Sequence, residues 1–197
     1  MNWRSIFLFG SLIQFILTSS FIGASPDLVG LFHLRSLKKL KALDMFSCRI
    51  TDAGCAQLSK TCPQLEAIEI CGGAVGDLGC TLLANLENLQ SLNLSQNERI
   101  TNRGASAFAG LKNLKALNLS NTGVDASANL KLPKSLQSLA LYGCKGVGNQ
   151  GCIAMLQMDL PGLKCLRLHQ HANHDGLMVG VADEDPFDIL DAPNIVR

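Results

Sequence analysis

The chain has 197 residues, 47% of them apolar, with one Trp, one Tyr, 18 Gly and 8 Cys. That length makes one ordinary domain able to bury a sizeable core. The formal net charge of +1 excludes a nucleic-acid binder in which the whole chain is the electrostatic footprint. The charge is uneven, however. Residues 1–174 carry 16 Lys and Arg against 10 Asp and Glu, and residues 175–197 carry one Arg against 6 acids, so an acidic solvated tail is expected on a mildly basic body.

Two alternatives stand open for the first residues, MNWRSIFLFGSLIQFILTSSFIGASP. One basic residue, an apolar run and Ile22-Gly23-Ala24 ahead of Ser25 fit a cleaved signal peptide. Ser11, Gln14 and Thr18-Ser19-Ser20 interrupt the run too often for a membrane span. Alternatively, residues 12–28 lie over residues 114–130. Leu12, Phe15, Leu17, Ser20 and Ile22 then fall on Leu114, Leu117, Leu119, Thr122 and Val124, and Leu28 on Leu130. Residues 12–28 would open a repeat with Leu28–Leu37 as its helix, leaving residues 1–11 as a partial cap or the ragged start of a longer array. Solenoid ends need a polar cap, and SIFLFG is a poor one, which predicts a chain that is incomplete or paired at that end.

From Leu40 onward one frame, L-x-x-L-x-L, recurs. It begins at Leu40, Leu65, Leu89, Leu114, Leu136 and Leu163, with spacings of 25, 24, 25, 22 and 27 residues. Self-similarity at this period predicts a solenoid. Each repeat predicts a short strand, a bend and a return segment of helical character. The strand residues alternate between an inward set and an open face. Three residues past the last Leu lies a bend position: Cys48, Gly73, Asn97, Thr122, Cys144 and His171. An aliphatic residue follows (Ile50, Val75, Ile100, Val124, Val147), then Asp52, Asp77, Asn102 or Asn149, which are expected as helix N-caps. Gly54-Cys55, Gly79-Cys80, Gly104-Ala105 and Gly151-Cys152 come next, in the first helical turn.

LDMFSCRITDAGC and LALYGCKGVGNQGC resemble the cysteine-containing class of leucine-rich repeats, familiar from the substrate-binding portions of F-box proteins and related plant proteins. The likeness runs from about Leu40 to His171. It implies an α/β leucine-rich-repeat solenoid, a curved horseshoe with parallel strands on the concave face and helices or irregular segments on the convex face. The chain departs from the pattern in three ways: it shows no F-box, the Leu114 repeat lacks the Gly-Cys pair, and Leu136 follows a shortened helix. The domain reading is thus 1–11 as a partial cap or part of a signal segment, 12–174 as the repeat domain starting near 12, 40, 65, 89, 114, 136 and 163, and 175–197 as an acidic tail expected to be disordered.

The cysteines read as thiols. Cys55, Cys80 and Cys152 share a column with Ala105, so the position asks for a small apolar group. Neighbouring helices lie roughly 8–10 Å apart, beyond the ~7 Å reach of a disulfide. On the strand side no two neighbouring repeats both place Cys in one column, and free thiols fit a reducing compartment. Cys165, His169, His171, His174 and Asp175 could supply metal ligands. Cys165 and His169 are also open-face strand positions, and His171 is a bend position. No metal, cofactor or catalytic constellation is expected.

Binding is expected on the concave face. Its first column is small: Ala42, Ala67, Ser91, Ala116, Ser138 and Cys165. Its second is Asp44, Glu69, Asn93, Asn118, Ala140 and Arg167. Its third is Phe46, Cys71, Ser95, Ser120, Tyr142 and His169. Asp44, Phe46, Glu69, Asn93, Asn118, Tyr142, Arg167 and His169 are the candidate binding residues, with Phe46 and Tyr142 as aromatic anchors. The expected function is a non-enzymatic scaffold for a protein partner, with no nucleic acid, membrane span or small-molecule substrate. It is expected to be cytoplasmic or nuclear, and the resemblance implies, as a finer version, the substrate-receptor part of a ubiquitin-ligase adaptor. The alternative is a secreted or cell-surface recognition protein, in which the sequons at Asn93 and Asn118 would carry glycans.

Overall fold

The computed structural model describes residues 6–9, 12–16, 31, 34–46, 48–125, 130–144, 147, 153–155 and 157–168. Eight strands form one sheet in chain order: β1 (Ile6–Phe9), β2 (Leu12–Ile16), β3 (Leu40–Asp44), β4 (Ala67–Glu69), β5 (Ser91–Asn93), β6 (Ala116–Asn118), β7 (Ser138–Ala140) and β8 (Cys165–Arg167). β1 and β2 pair antiparallel, and every neighbouring pair from β2 to β8 is parallel. Parallel neighbours require a crossover between them. After three strands that crossover is a helix: α1 (Asp52–Thr61), α2 (Asp77–Leu83) and α3 (Asn102–Ser106), the last continued by a 3-10 turn at Ala107–Gly110. One strand and one return per repeat, stacked in sequence order, is a leucine-rich-repeat solenoid.

The frame leucines build the interior. Leu43, Ile68, Leu92, Leu117, Leu139 and Leu166 stand opposite one another in consecutive strands and are buried. On the backbone of β2, Phe15 stands opposite Leu43, on the same line. Ile50, Val75, Ile100, Val124 and Val147 are buried where each strand ends, and Leu58, Leu83 and Phe108 face inward from the helical returns. A fully buried Leu or Phe contributes about 1.5–3 kcal/mol, so the repeating core supplies most of the stability.

The bend after β4, β5, β6 and β7 is a left-handed turn. Gly72, Gln96, Asn121 and Gly143 all have φ between 54° and 68° at the same repeat position, a region that favours Gly or Asn. Below it, Asn97 is fully buried. Its Nδ2 donates to the carbonyls of Ile70 (2.8 Å), Leu94 (3.0 Å) and Ser95 (3.2 Å), and its Oδ1 accepts the Val75 N–H at 3.1 Å. Thr122 donates to the Leu119 carbonyl at 2.7 Å, and the Cys144 thiol donates to the same carbonyl at 3.1 Å. Asn97, Thr122 and Cys144 thus satisfy backbone groups that a buried bend would otherwise orphan.

The structure corrects the expected role of Asp52, Asp77 and Asn102. The N-cap residues are Thr51, Gly76 and Thr101, and the acids occupy the first helical position, from which they serve the next repeat. Asp52 Oδ1 accepts the N–H groups of Gly76 (2.7 Å) and Gly79 (3.0 Å). Asp77 Oδ1 accepts those of Thr101 (2.8 Å) and Gly104 (3.0 Å), and its Oδ2 accepts the Thr101 hydroxyl at 2.8 Å. Asn102 continues the series toward Asp125, whose N–H it accepts at 2.9 Å. Each carboxylate thus satisfies orphan donors of a helix start and sits at its positive end, but across a repeat boundary. This explains the glycine at positions 79 and 104. A Cβ on Gly79 would lie 2.5 Å from Asp52 Oδ1, and one on Gly104 equally close to Asp77 Oδ1.

Candidate functional site: the open sheet face

The parallel register brings the predicted second column into line: Asp44, Glu69, Asn93, Asn118, Ala140 and Arg167 stand opposite one another in β3 to β8. At about 4.8 Å per strand, the row spans about 24 Å, with acids at one end and Arg167 at the other. Three of these side chains also brace the strand exit. Asp44 Oδ1 accepts the Phe46 N–H at 2.9 Å, Asn93 Oδ1 that of Ser95 at 3.1 Å, and Asn118 Oδ1 that of Ser120 at 3.0 Å. Asx side chains make this local bond readily.

Glu69, too long for that bond, organises a polar patch instead. Its Oε1 accepts Asn93 Nδ2 at 3.3 Å and the Cys71 thiol at 3.4 Å, and Ser95 Oγ lies 3.3 Å from Cys71 Sγ. Asn93 is therefore only 7% exposed, part of the floor rather than a free contact. Along the third column Phe46 and Tyr142 stand 53% and 48% exposed, while Cys71, Ser95 and Ser120 between them are buried. Four strand intervals at that spacing put the two aromatics about 19 Å apart, flanking a shallow trough. His169 lies outside the described residues, as do His171, His174 and Asp175. Among the described residues no group of three His, Cys, Asp or Glu could hold a metal.

A fourth column contributes that strict alternation hid. Lys41, Glu66, Gln90, Lys115, Gln137 and Lys164 follow the first frame leucine; Lys41 lies within β3, and the other five stand one residue before β4 to β8 begin. Their backbones form a ladder of N–H to carbonyl bonds of 2.7–2.8 Å. Lys41 Nζ pairs with Glu66 Oε1 at 2.5 Å, and Gln90 Nε2 donates to Glu66 Oε2 at 3.3 Å. The available signal was that this position is polar in all six repeats.

The seven described cysteines, Cys48, Cys55, Cys62, Cys71, Cys80, Cys144 and Cys165, are free thiols; Cys152 lies outside the described residues. Cys55, Cys80 and Ala105 fill equivalent buried places. Burial pushes the Cys55 and Cys71 thiols up to about 12 and raises Cys80 as well, with nearby acids adding to the effect. Such thiols are inert space-fillers, since nucleophilic chemistry needs the thiolate.

Leucine-rich-repeat family models match residues 36–59 and 63–124. F-box/LRR-repeat protein 4 of Bos taurus is 38% identical over 68 residues, 32% of this chain and 11% of that protein. A crystal structure of an internalin (inlF) from Listeria monocytogenes is similar over 71% of this chain and 46% of that one, at 20% identity and a TM-score of 0.47. The chain thus spans 11% of the length of that curated relative. With two matched stretches, six recurrences of the frame and buried leucine columns in parallel register, the chain is a leucine-rich-repeat protein.

Proposed function

We propose that the chain is a non-enzymatic protein-interaction scaffold that seats a partner across the strands of its open face, anchored at Phe46 and Tyr142. The observation that carries this is a pair of half-exposed aromatics flanking a floor of small buried residues. Aromatic side chains dominate binding energetics when a partner desolvates them. Asp44 and Glu69 at one end and Arg167 at the other fix the direction in which a charged partner lies. The test is capture of a partner by the full chain and by Phe46→Ala/Tyr142→Ala, with circular dichroism confirming an intact fold. Loss of capture by the folded variant is expected, and unchanged capture removes the open-face assignment.

Similarity to the F-box/LRR-repeat protein supports, as a finer proposal, the substrate-receptor part of a ubiquitin-ligase adaptor. Its test is ubiquitination of the captured partner in the presence and absence of the chain. For compartment, the free thiols support a reducing one. So does Asn93, whose Nδ2, the atom a glycan would occupy, is bonded to Glu69 in a buried position. A mature N-terminus at Ser25 or a glycan on Asn93 would place the protein outside the cell instead. No helix among the described residues is long and apolar enough to cross a membrane.

A further inference from the structure

A second concavity lies at the strand-entry edge, away from the aromatic trough. It is a groove of about 770 Å³ that runs from Ala109–Lys112 past Leu130–Ser135 to Met158–Leu160. Its origin is a short repeat. Leu114 to Leu136 is 22 residues, against 25 from Leu89 to Leu114 and 27 from Leu136 to Leu163. The described part of the return, Leu130–Ser135, carries no helix, and it lines the groove between the turns on either side.

The groove is two-sided in chemistry. Leu111, Leu130, Leu132, Met158 and Leu160 supply an apolar lining, and the exposed Lys112, Lys131 and Lys134 stand around it. Asp159, the one acid among the lining residues, pairs with Lys134, with both side chains 73% exposed, so an incoming carboxylate can exchange with it. The surroundings reinforce the sign. Residues 111–168 hold seven Lys and Arg against Asp125 and Asp159, whereas residues 34–100 hold seven of each sign.

We propose that this groove docks an extended acidic-apolar segment of a partner protein, its apolar side chains on the leucine and methionine lining and its carboxylates at Lys112, Lys131 and Lys134. A peptide fits better than a nucleic acid, because the lining contains no aromatic side chain on which a base could stack and its floor is hydrocarbon rather than polar. This site is independent of the open-face proposal and shares none of its anchors.

The test uses the full chain and a fluorescein-labelled nine-residue peptide alternating Asp with Leu and Phe, read by anisotropy. Binding is expected to weaken about tenfold or more in Lys112→Glu/Lys131→Glu, to survive in Lys112→Arg/Lys131→Arg, and to be unchanged in Phe46→Ala/Tyr142→Ala. Several results would overturn the proposal: no binding, equal binding of a peptide with Lys in place of Asp, or equal displacement by heparin and unlabelled peptide. A chain ending at residue 174 that binds the peptide tenfold more tightly would overturn the partner assignment in favour of the chain's own acidic tail.

Discussion

Replacing Gly79 by alanine tests the cross-repeat lock most directly. The added methyl lands 2.5 Å from Asp52 Oδ1 and 2.7 Å from Val75 Cγ1, so the carboxylate must swing out and release the N–H groups of Gly76 and Gly79. Hydrogen bonds to charged acceptors contribute about 1.5–3 kcal/mol each when buried. For this part-buried pair, which water can partly replace, about 2 kcal/mol together is the working figure. Crowding against Val75 adds about 1 kcal/mol, which the better helix propensity of alanine offsets by about 1 kcal/mol. Gly79→Ala should therefore lower stability by about 2 kcal/mol, and Asp52→Ala, which removes the same two bonds, by a similar amount. Because both substitutions abolish one interaction, the double variant should also lose about 2 kcal/mol rather than about 4, a coupling far outside additivity. Urea unfolding followed by far-ultraviolet circular dichroism, with slopes checked for constancy, measures the cycle. Gly110→Ala is the internal control, since a methyl there meets nothing within 4 Å, and it should be neutral or stabilising. Additive losses, or a neutral Gly79→Ala, would refute the lock.

Two further outcomes follow from buried groups. Among the described residues Ser138 Oγ is buried without a hydrogen-bond partner, so Ser138→Ala should leave stability unchanged or raise it by up to about 1 kcal/mol. A loss of more than about 1 kcal/mol in the same urea assay would show that the hydroxyl is satisfied. The raised thiols make stability fall in alkali. Between the ordinary value of 9.0 and the folded value of about 12 for Cys55 and Cys71, the folded state holds protons that the unfolded chain has released. Their stabilisation is therefore complete below pH 9 and is lost as pH rises toward 12. Unfolding midpoints at pH 8, 9 and 10 should drop over the last step, with a smaller drop in Cys55→Ala, which fills the place as Ala105 does. A flat profile would contradict it.

Much of this protein is legible in one dimension because a solenoid repeats its contacts at fixed spacing. Once L-x-x-L-x-L recurs, the inward leucines, the parallel neighbours and the columns of the open face follow from strand alternation and period, and the register from Asp44 to Arg167 needs nothing more. What lies between repeats was not legible. Asp52 and Asp77 look like caps of the helices they begin, because local sequence cannot say that a carboxylate reaches a helix start 24 to 27 residues further on. The same contact explains Gly79 and Gly104, which sequence alone marks only as recurrent. Likewise, alternation marks Asn93 and Asn118 as open-face positions, and only the structure shows that both also brace the backbone two residues on and that Asn93 lies buried beside Glu69. The polar column of Lys41 and Glu66 went unread, because inward-outward alternation along each strand names only the positions after the second frame position. Period and hydrophobicity set which residues form each layer. Tertiary structure alone decided which polar groups are already satisfied by the neighbouring repeat and which remain to meet a partner, since hydrogen bonds are short and directional where burial is not.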